Sequence, residues 1–266
     1  MTEIREAAVA GQFYPGNSSE LSTTIRELLE EAPIQKGPPP KALIVPHAGY
    51  IYSGPVAAAA YARLQPYRQL YSRVVLLGPC HRVAVRGMAL SGADVFRTPL
   101  GDVPVDKEAI ALLDMPAVKF IDAAHQFEHS LEVHLPFLQS AIRSFSLVPL
   151  VVGDVAPDTV ARVIDDLWGG PETLIVISSD LSHYLTYDDA RATDKTTCEW
   201  IENLQEQNID HNSACGATPI RGLLIATKRR GMTVTTLDLR NSGDTAGDKS
   251  RVVGYGAWIF SEENGI

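Results

Sequence analysis

Six stretches of strand length are rich in Val, Ile and Leu: Ala42 to Val45, Val74 to Leu77, Leu147 to Val152, Leu174 to Ile177, Val234 to Leu239 and Val252 to Phe260. Segments of helical period lie between many of them. Ser19 is the expected cap of a helix reaching Glu30, and Pro55 is the expected opening of an alanine-rich one from Val56 to Leu64. Leu131 to Ile142, Asp158 to Trp168, Tyr187 to Leu204 and Pro219 to Lys228 complete the helical set. Near-continuous apolar strands separated by helices belong to a sheet covered on both faces. The pattern therefore predicts an α/β fold, a three-layer sandwich with a mixed, mostly buried central sheet flanked by helices. Val234-Thr235-Thr236-Leu237-Asp238-Leu239 alternates more clearly and precedes another strand, so the carboxyl end is expected to add antiparallel strands.

Composition narrows the class. The 266 residues are 45% hydrophobic and 21% charged, as in an ordinary globular protein, and no stretch has the length and composition of a linker, so one domain over 1–266 is expected. A formal net charge of −9 excludes a nucleic-acid scaffold, since Lys228-Arg229-Arg230 is the one short basic cluster and is placed to close a helix. Three cysteines, no apolar targeting segment at the amino terminus and no membrane-length apolar run predict a cytoplasmic protein with free thiols and no membrane partner. The polar, glycine-bearing stretch from Asn241 to Ser250 reads as a surface connection.

The chemistry gathers where strands end. Ala42 to Val45 runs into Pro46-His47-Ala48-Gly49-Tyr50, and Val74 to Leu77 runs into Gly78-Pro79-Cys80-His81. Ligands bind outside the carboxyl ends of strands in open α/β sheets, and neutral imidazole is the commonest metal ligand. A third strand, Leu174 to Ile177, ends in Asp180 and His183, a carboxylate and an imidazole that suit proton transfer or the orientation of a ligand. Each of these residues taken alone reads equally well as a loop histidine or a helix cap. Cys215 precedes a predicted helix, where the positive end of the helix dipole favours thiolate, although a lone cysteine is more often a small buried hydrophobe. His129, ahead of the helix from Leu131, is placed to donate to a bound oxygen at the pocket edge. Phe13, Tyr50 and Tyr52 stand close enough in sequence to a turn or to His47 to line a substrate slot.

Taken together, the segments AGQFYP, VPHAGYIYSG, LGPCHR, FRTPLGD, EHSLEVHLPFLQ, ISSDLSHY and ACGATPI run in order through nearly the whole chain. In these the chain resembles the Memo-like family, also called protein B of the AmmeMemoRadiSam system. Two local departures are Phe13, where family members often carry tryptophan, and Cys80, where they often carry serine. The resemblance implies a fold like that of class III extradiol, LigB-type dioxygenases, in which two histidines and a glutamate bind iron and a further histidine serves as acid and base. Carried onto this sequence, it implies that His47, His81 and Cys215 surround a metal while Asp180 and His183 stand beside it. Cys215 then replaces the dioxygenase glutamate with a softer anionic ligand, which admits copper and zinc beside the favoured Fe(II). The expected function is that of an iron-binding redox protein, with His183 transferring protons and Asp180 orienting it. A phosphopeptide-binding module and a zinc-dependent hydrolase are the alternatives. The resemblance also implies functional association with AMMECR-domain and radical SAM proteins.

Overall fold

The computed structural model describes residues 2–33 and 36–262. In chain order its first half comprises β1 (Ile4–Arg5), α1 (Ser18–Glu31), β2 (Ala42–Val45), α2 (Tyr50–Ala62), β3 (Arg73–Pro79), β4 (Met88–Leu90), β5 (Val95–Thr98) and β6 (Gly101–Pro104). Then follow α3 (Lys107–Ile110), β7 (Val118–Phe120), α4 (Asp122–Gln126), α5 (Leu135–Ala141), β8 (Ser146–Val152) and α6 (Pro157–Asp166). The last part holds β9 (Thr173–Ser178), β10 (His183–Leu185), α7 (Tyr187–Glu202), α8 (Ala217–Lys228), β11 (Thr233–Asn241) and β12 (Val252–Ser261).

The large sheet has the order β10-β12-β2-β9-β3-β8-β4-β7, with β11 also paired to β12. Its centre is parallel: β9 lies between β2 and β3, and β8 flanks β3. Every residue of β2 and β9 is buried, which is why these strands appear in the sequence as unbroken apolar runs rather than alternating ones. Each Leu, Ile or Val so enclosed contributes roughly 1.5–3 kcal/mol of hydrophobic stabilisation. As the alternation of 234–239 predicts, β11 and β12 are antiparallel, and β12 joins them to β2. Helices α1, α2 and α5 pack on one another, α6 packs on α8, and α7 packs on β11 and β12. The architecture is the mixed α/β, three-layer arrangement read from the pattern. A separate three-stranded sheet, β1-β5-β6, was not legible in the sequence because its strands are two to four residues long.

Several boundaries differ for identifiable reasons. Asn17, not Ser19, caps α1, its side chain accepting the backbone N–H groups of Ser19 and Glu20 at 3.0 and 3.1 Å. Helix α2 begins at Tyr50, so Pro55 lies inside it rather than at its start. The continuous helix expected from Leu131 is a 3₁₀ turn, Glu132–His134, followed by α5. Pro136 has no N–H to return to the carbonyl of Glu132, so an α-helical bond is missing at the junction. Lys228 ends α8 as expected, and the following Arg229 and Arg230 pair with Asp165 of α6. Among the described residues no helix is long and apolar enough to cross a membrane.

Parallel pairing places Val45 opposite Ser178 and Leu77 opposite Ile177, so β2, β9 and β3 finish at one edge. From that edge emerge His47, Asp180 and His81.

Candidate functional site

His47 is 2% exposed and is held from two sides. Its backbone N–H donates to Asp180 Oδ1 at 2.8 Å, and its Nδ1 lies 2.6 Å from Ser178 Oγ. The single hydroxyl proton of Ser178 goes to the carbonyl of Ser130 at 2.6 Å, so Ser178 must accept from His47. The proton therefore sits on Nδ1, and Nε2 presents a lone pair. Burial, reinforced by the neighbouring His129 and His81, holds this imidazole well below its usual pKa, so it is neutral. Gly78 makes the relay fit: a Cβ there would stand 2.9 Å from Ser130 Oγ and 3.1 Å from Ser178 Cβ.

His81 is oriented by a residue the sequence reading did not single out. Glu128, 1% exposed, receives the His81 backbone N–H on Oε2 at 2.6 Å and meets His81 Nδ1 through Oε1 at 2.9 Å. The same Oε1 accepts the backbone N–H groups of His129 and Ser130, each at 3.0 Å. Burial alone would raise this carboxyl, but the bonds from His81 and the backbone outweigh it and bring Glu128 down to about 2. An ionised carboxylate only accepts, so His81 carries a proton on Nδ1, and in the neutral ring that leaves Nε2 with the lone pair.

His129 completes the group. One ring nitrogen from each of His47, His81 and His129 lies within 4.8 Å of the others, the one potential metal-holding cluster of three such groups among the described residues. The rings meet at centroid distances of 5.2 Å for His47 and His81, 5.3 Å for His47 and His129, and 4.7 Å for His81 and His129. His129 Nδ1 is buried without a hydrogen-bond partner, and burial lowers this imidazole to about 4. The structure thus brings His129, expected at the pocket edge, into the same cluster as the two strand-end histidines.

Cys215 approaches the cluster through His47, its Sγ 3.5 Å from Nε2. Gly216 allows this, because any Cβ there would collide with Ser178 O at 2.6 Å and Ser179 Cβ at 2.7 Å, and so the start of α8 rests directly on the end of β9. The helix terminus does not activate the thiol as its sequence position suggests. Burial, with the nearby charge of Asp180 adding to it, pushes Cys215 up to about 12, and the metal-free thiol is protonated.

The expected pairing of Asp180 with His183 is not formed. Asp180 serves His47, and burial raises its carboxyl to about 6 against the pull of the His47 amide. His183 Nδ1 instead meets the Leu181 carbonyl at 2.8 Å. Both residues still line a cleft of about 620 Å³ that opens on the three histidines. Phe13 and Tyr52 line it as expected, with the Phe13 ring 4.8 Å from His129. Tyr50 does not: it is buried, donates its hydroxyl to Val133 O at 2.8 Å and packs on Phe137. Its place in the wall belongs to Tyr184, whose left-handed φ of 60° turns a 64% exposed ring to the rim beside the guanidinium of Arg251, 5.1 Å away. The 241–250 connection reaches the same cleft through Ser242, Gly247 and Asp248.

The remaining candidates are structural. His125 meets the Ala89 carbonyl, His134 meets the Tyr61 hydroxyl, and Cys80 donates to Val83 O. Cys80, Cys198 and Cys215 are all free thiols. Glu132 anchors the amino terminus: its buried carboxylate accepts from Arg5, from the backbone of Ala8 and Val9, and from the Tyr14 hydroxyl.

Comparison with known proteins places these residues in a family. The model of a family described as Memo-like protein matches residues 5–259. A MEMO1 family protein from Aquifex aeolicus is 39% identical over 270 residues, covering 97% of this chain and 99% of that protein. One from Methanosarcina acetivorans is 38% identical with the same coverage of both chains. Among solved structures, the uncharacterized protein JW3007 from Escherichia coli K12 has a TM-score of 0.56 at 13% identity, over 82% of this chain and 98% of its own. That likeness is one of fold.

Proposed function

The chain belongs to the Memo-like family, and from that premise we propose that it is a non-haem iron protein that carries out redox chemistry on a small molecule admitted by the cleft, with His47, His81 and Cys215 as metal ligands. The observation that carries this reading is the pair of locked tautomers: Ser178 and Glu128 each hold an Nδ1–H, which leaves Nε2 of His47 and of His81 as donors. The three histidines fit a metal, one ring nitrogen of each lying within 4.8 Å of the others, and Cys215, which stands outside that group, is proposed as a ligand from its approach to His47. A sulfur and an imidazole nitrogen bonded tetrahedrally to one ion stand about 3.6 Å apart for typical bond lengths, and Cys215 Sγ lies 3.5 Å from His47 Nε2. The buried Nδ1 of His129 makes no hydrogen bond and faces the Glu128 carboxylate at 3.3 Å.

Iron(II) held there would supply one-electron chemistry and a Lewis-acid centre beside the cleft. The protein supplies the rest. Neutral His129 is placed to accept or return a proton at the edge of the site, and its packing on Phe13 fixes its ring. His183, anchored through Nδ1, presents its other nitrogen from the opposite segment of the lining. Phe13, Tyr52 and Tyr184 give a substrate aromatic surface to pack on.

Metal analysis of protein purified without oxygen tests the reading. About one iron per chain is expected in the wild type, with loss in His47→Ala, His81→Ala and Cys215→Ala and with oxygen uptake that depends on the iron. A wild type that holds no iron and cannot be loaded with it, or variants that retain it, would overturn the proposal. Predominant copper or zinc with the same three-residue dependence would keep the ligands and replace the metal.

A further inference from the structure

Glu128 touches no part of the cleft that a substrate would occupy, yet its carboxylate is among the most heavily engaged groups in the protein. It collects four N–H groups: the His81 amide, His81 Nδ1, the His129 amide and the Ser130 amide. A carboxylate that merely ended a turn would need the last two alone. The first two belong to a residue 47 positions away, on the loop that leaves β3. Oε1 also lies 3.3 Å from His129 Nδ1, so one anion faces two of the three clustered imidazoles. His47 has no such anion on its Nδ1, which rests on the neutral hydroxyl of Ser178.

We infer that Glu128 is the positioning residue of this site: its carboxylate selects the Nδ1–H tautomer of His81, aims the ring at His47 and braces the loop that carries His129. It acts on a bound metal through these histidines and not by contact. The part that concerns metal affinity rests on the proposed function; the part that concerns the tautomer does not. Hydrogen bonding of a ligand histidine to a carboxylate raises the basicity of the opposite nitrogen, and losing such a partner weakens metal binding by about 10–100-fold. Glutamine at this position keeps the size of the side chain but has one acceptor where Glu128 uses two. Its amide N–H₂ must then face either the His81 amide or the His81 ring donor.

Two measurements test this on the full chain. Nitrogen-15 NMR of the histidine rings in metal-free protein is expected to show His81 as the Nδ1–H tautomer, and Glu128→Gln to shift it toward Nε2–H or a mixture. Titration with Co(II) is expected to give about 10–100-fold weaker binding in Glu128→Gln and comparable loss in Glu128→Asp, whose carboxylate is too short to span both contacts. Thermal unfolding of both variants identifies any that fails to fold, and the wild-type spectrum decides independently of them. An Nε2–H tautomer in the wild type overturns the inference. So does a folded variant that keeps both the wild-type tautomer and its Co(II) affinity to within about twofold, since the expected loss is at least tenfold. If the wild type binds no Co(II) or iron, the proposed function fails, while the tautomer shift between wild type and Glu128→Gln still decides the role of Glu128.

Discussion

The sulfur of Cys215 rests 3.5 Å from Nε2 of His47, a contact closed between residues 168 positions apart. The thiol there is enclosed and faces the charge of Asp180, and the two effects push it up to about 12. Metal-free protein is therefore expected to alkylate at Cys215 with iodoacetamide at pH 8 at least about tenfold more slowly than the unfolded chain, because thiolate is the reacting form. Asp180→Asn removes the second cause and should speed the reaction. Peptide mass spectrometry over time reads both, and equal rates in folded and unfolded protein would contradict the assignment.

Gly78 gives way to the serine relay behind His47. Its alanine variant would press a methyl against Leu131 and Ser130 Oγ at 2.9 Å each and Ser178 Cβ at 3.1 Å. Overpacking of this kind costs about 1–3 kcal/mol. The denaturant midpoint of Gly78→Ala should fall accordingly and metal content should fall with it; an unchanged midpoint would mean that the strand end yields freely.

Asp194 provides a pH signature outside the three-histidine cluster, with His183 the one imidazole acting on it. It is 3% exposed, accepts the Ser182 N–H at 3.0 Å and is raised by burial to about 6 from an ordinary value of 3.8. The folded state holds its proton more tightly than the unfolded one, so this contribution to stability is complete below about pH 4 and is lost as the pH rises through about 6. Asn retains the acceptor oxygen without the charge. Asp194→Asn is expected to match the wild type near pH 4 and to exceed it by on the order of 2 kcal/mol at pH 7.5. Urea titrations at the two pH values measure the difference, and a variant no more stable at pH 7.5 would refute it.

Glu132 and Arg5 form a buried ion pair, with side chains 0% and 5% exposed. Removing one partner of such a pair strands the other charge and costs about 3–5 kcal/mol. In Glu132→Ala, residues 5–14 should lose hydrogen-exchange protection before the central sheet does. Uniform protection in the variant would show that the amino-terminal segment is held by other contacts.

The frame of the fold was legible because burial on both faces writes parallel strands as plain apolar runs; Ala42 to Val45 matches β2 residue for residue. The strand-end rule then located His47, His81, Asp180 and His183 without any contact being known. Less could be read where tertiary partners decide. Nothing in the string Glu128-His129-Ser130 tells that the glutamate serves a histidine 47 positions earlier. Tyr50 follows His47 closely in sequence, but the first turn of α2 points it into the core beside Phe137. For Cys215 the local cue, a helix terminus, is outweighed by burial and by Asp180, neither of which is visible in its neighbours.

The anchoring of the first residues on Glu132 bears on how the protein is made. Ribosomes release Arg5 and Phe13 well before their docking sites, Glu132 and His129, which lie more than a hundred residues later, and Cys215 follows later still. A nascent chain therefore exports this strap long before there is anywhere to fasten it, and a product that stops before Cys215 lacks part of the site. The ligand set proposed above, His47, His81 and Cys215, is therefore complete only once synthesis has passed Cys215.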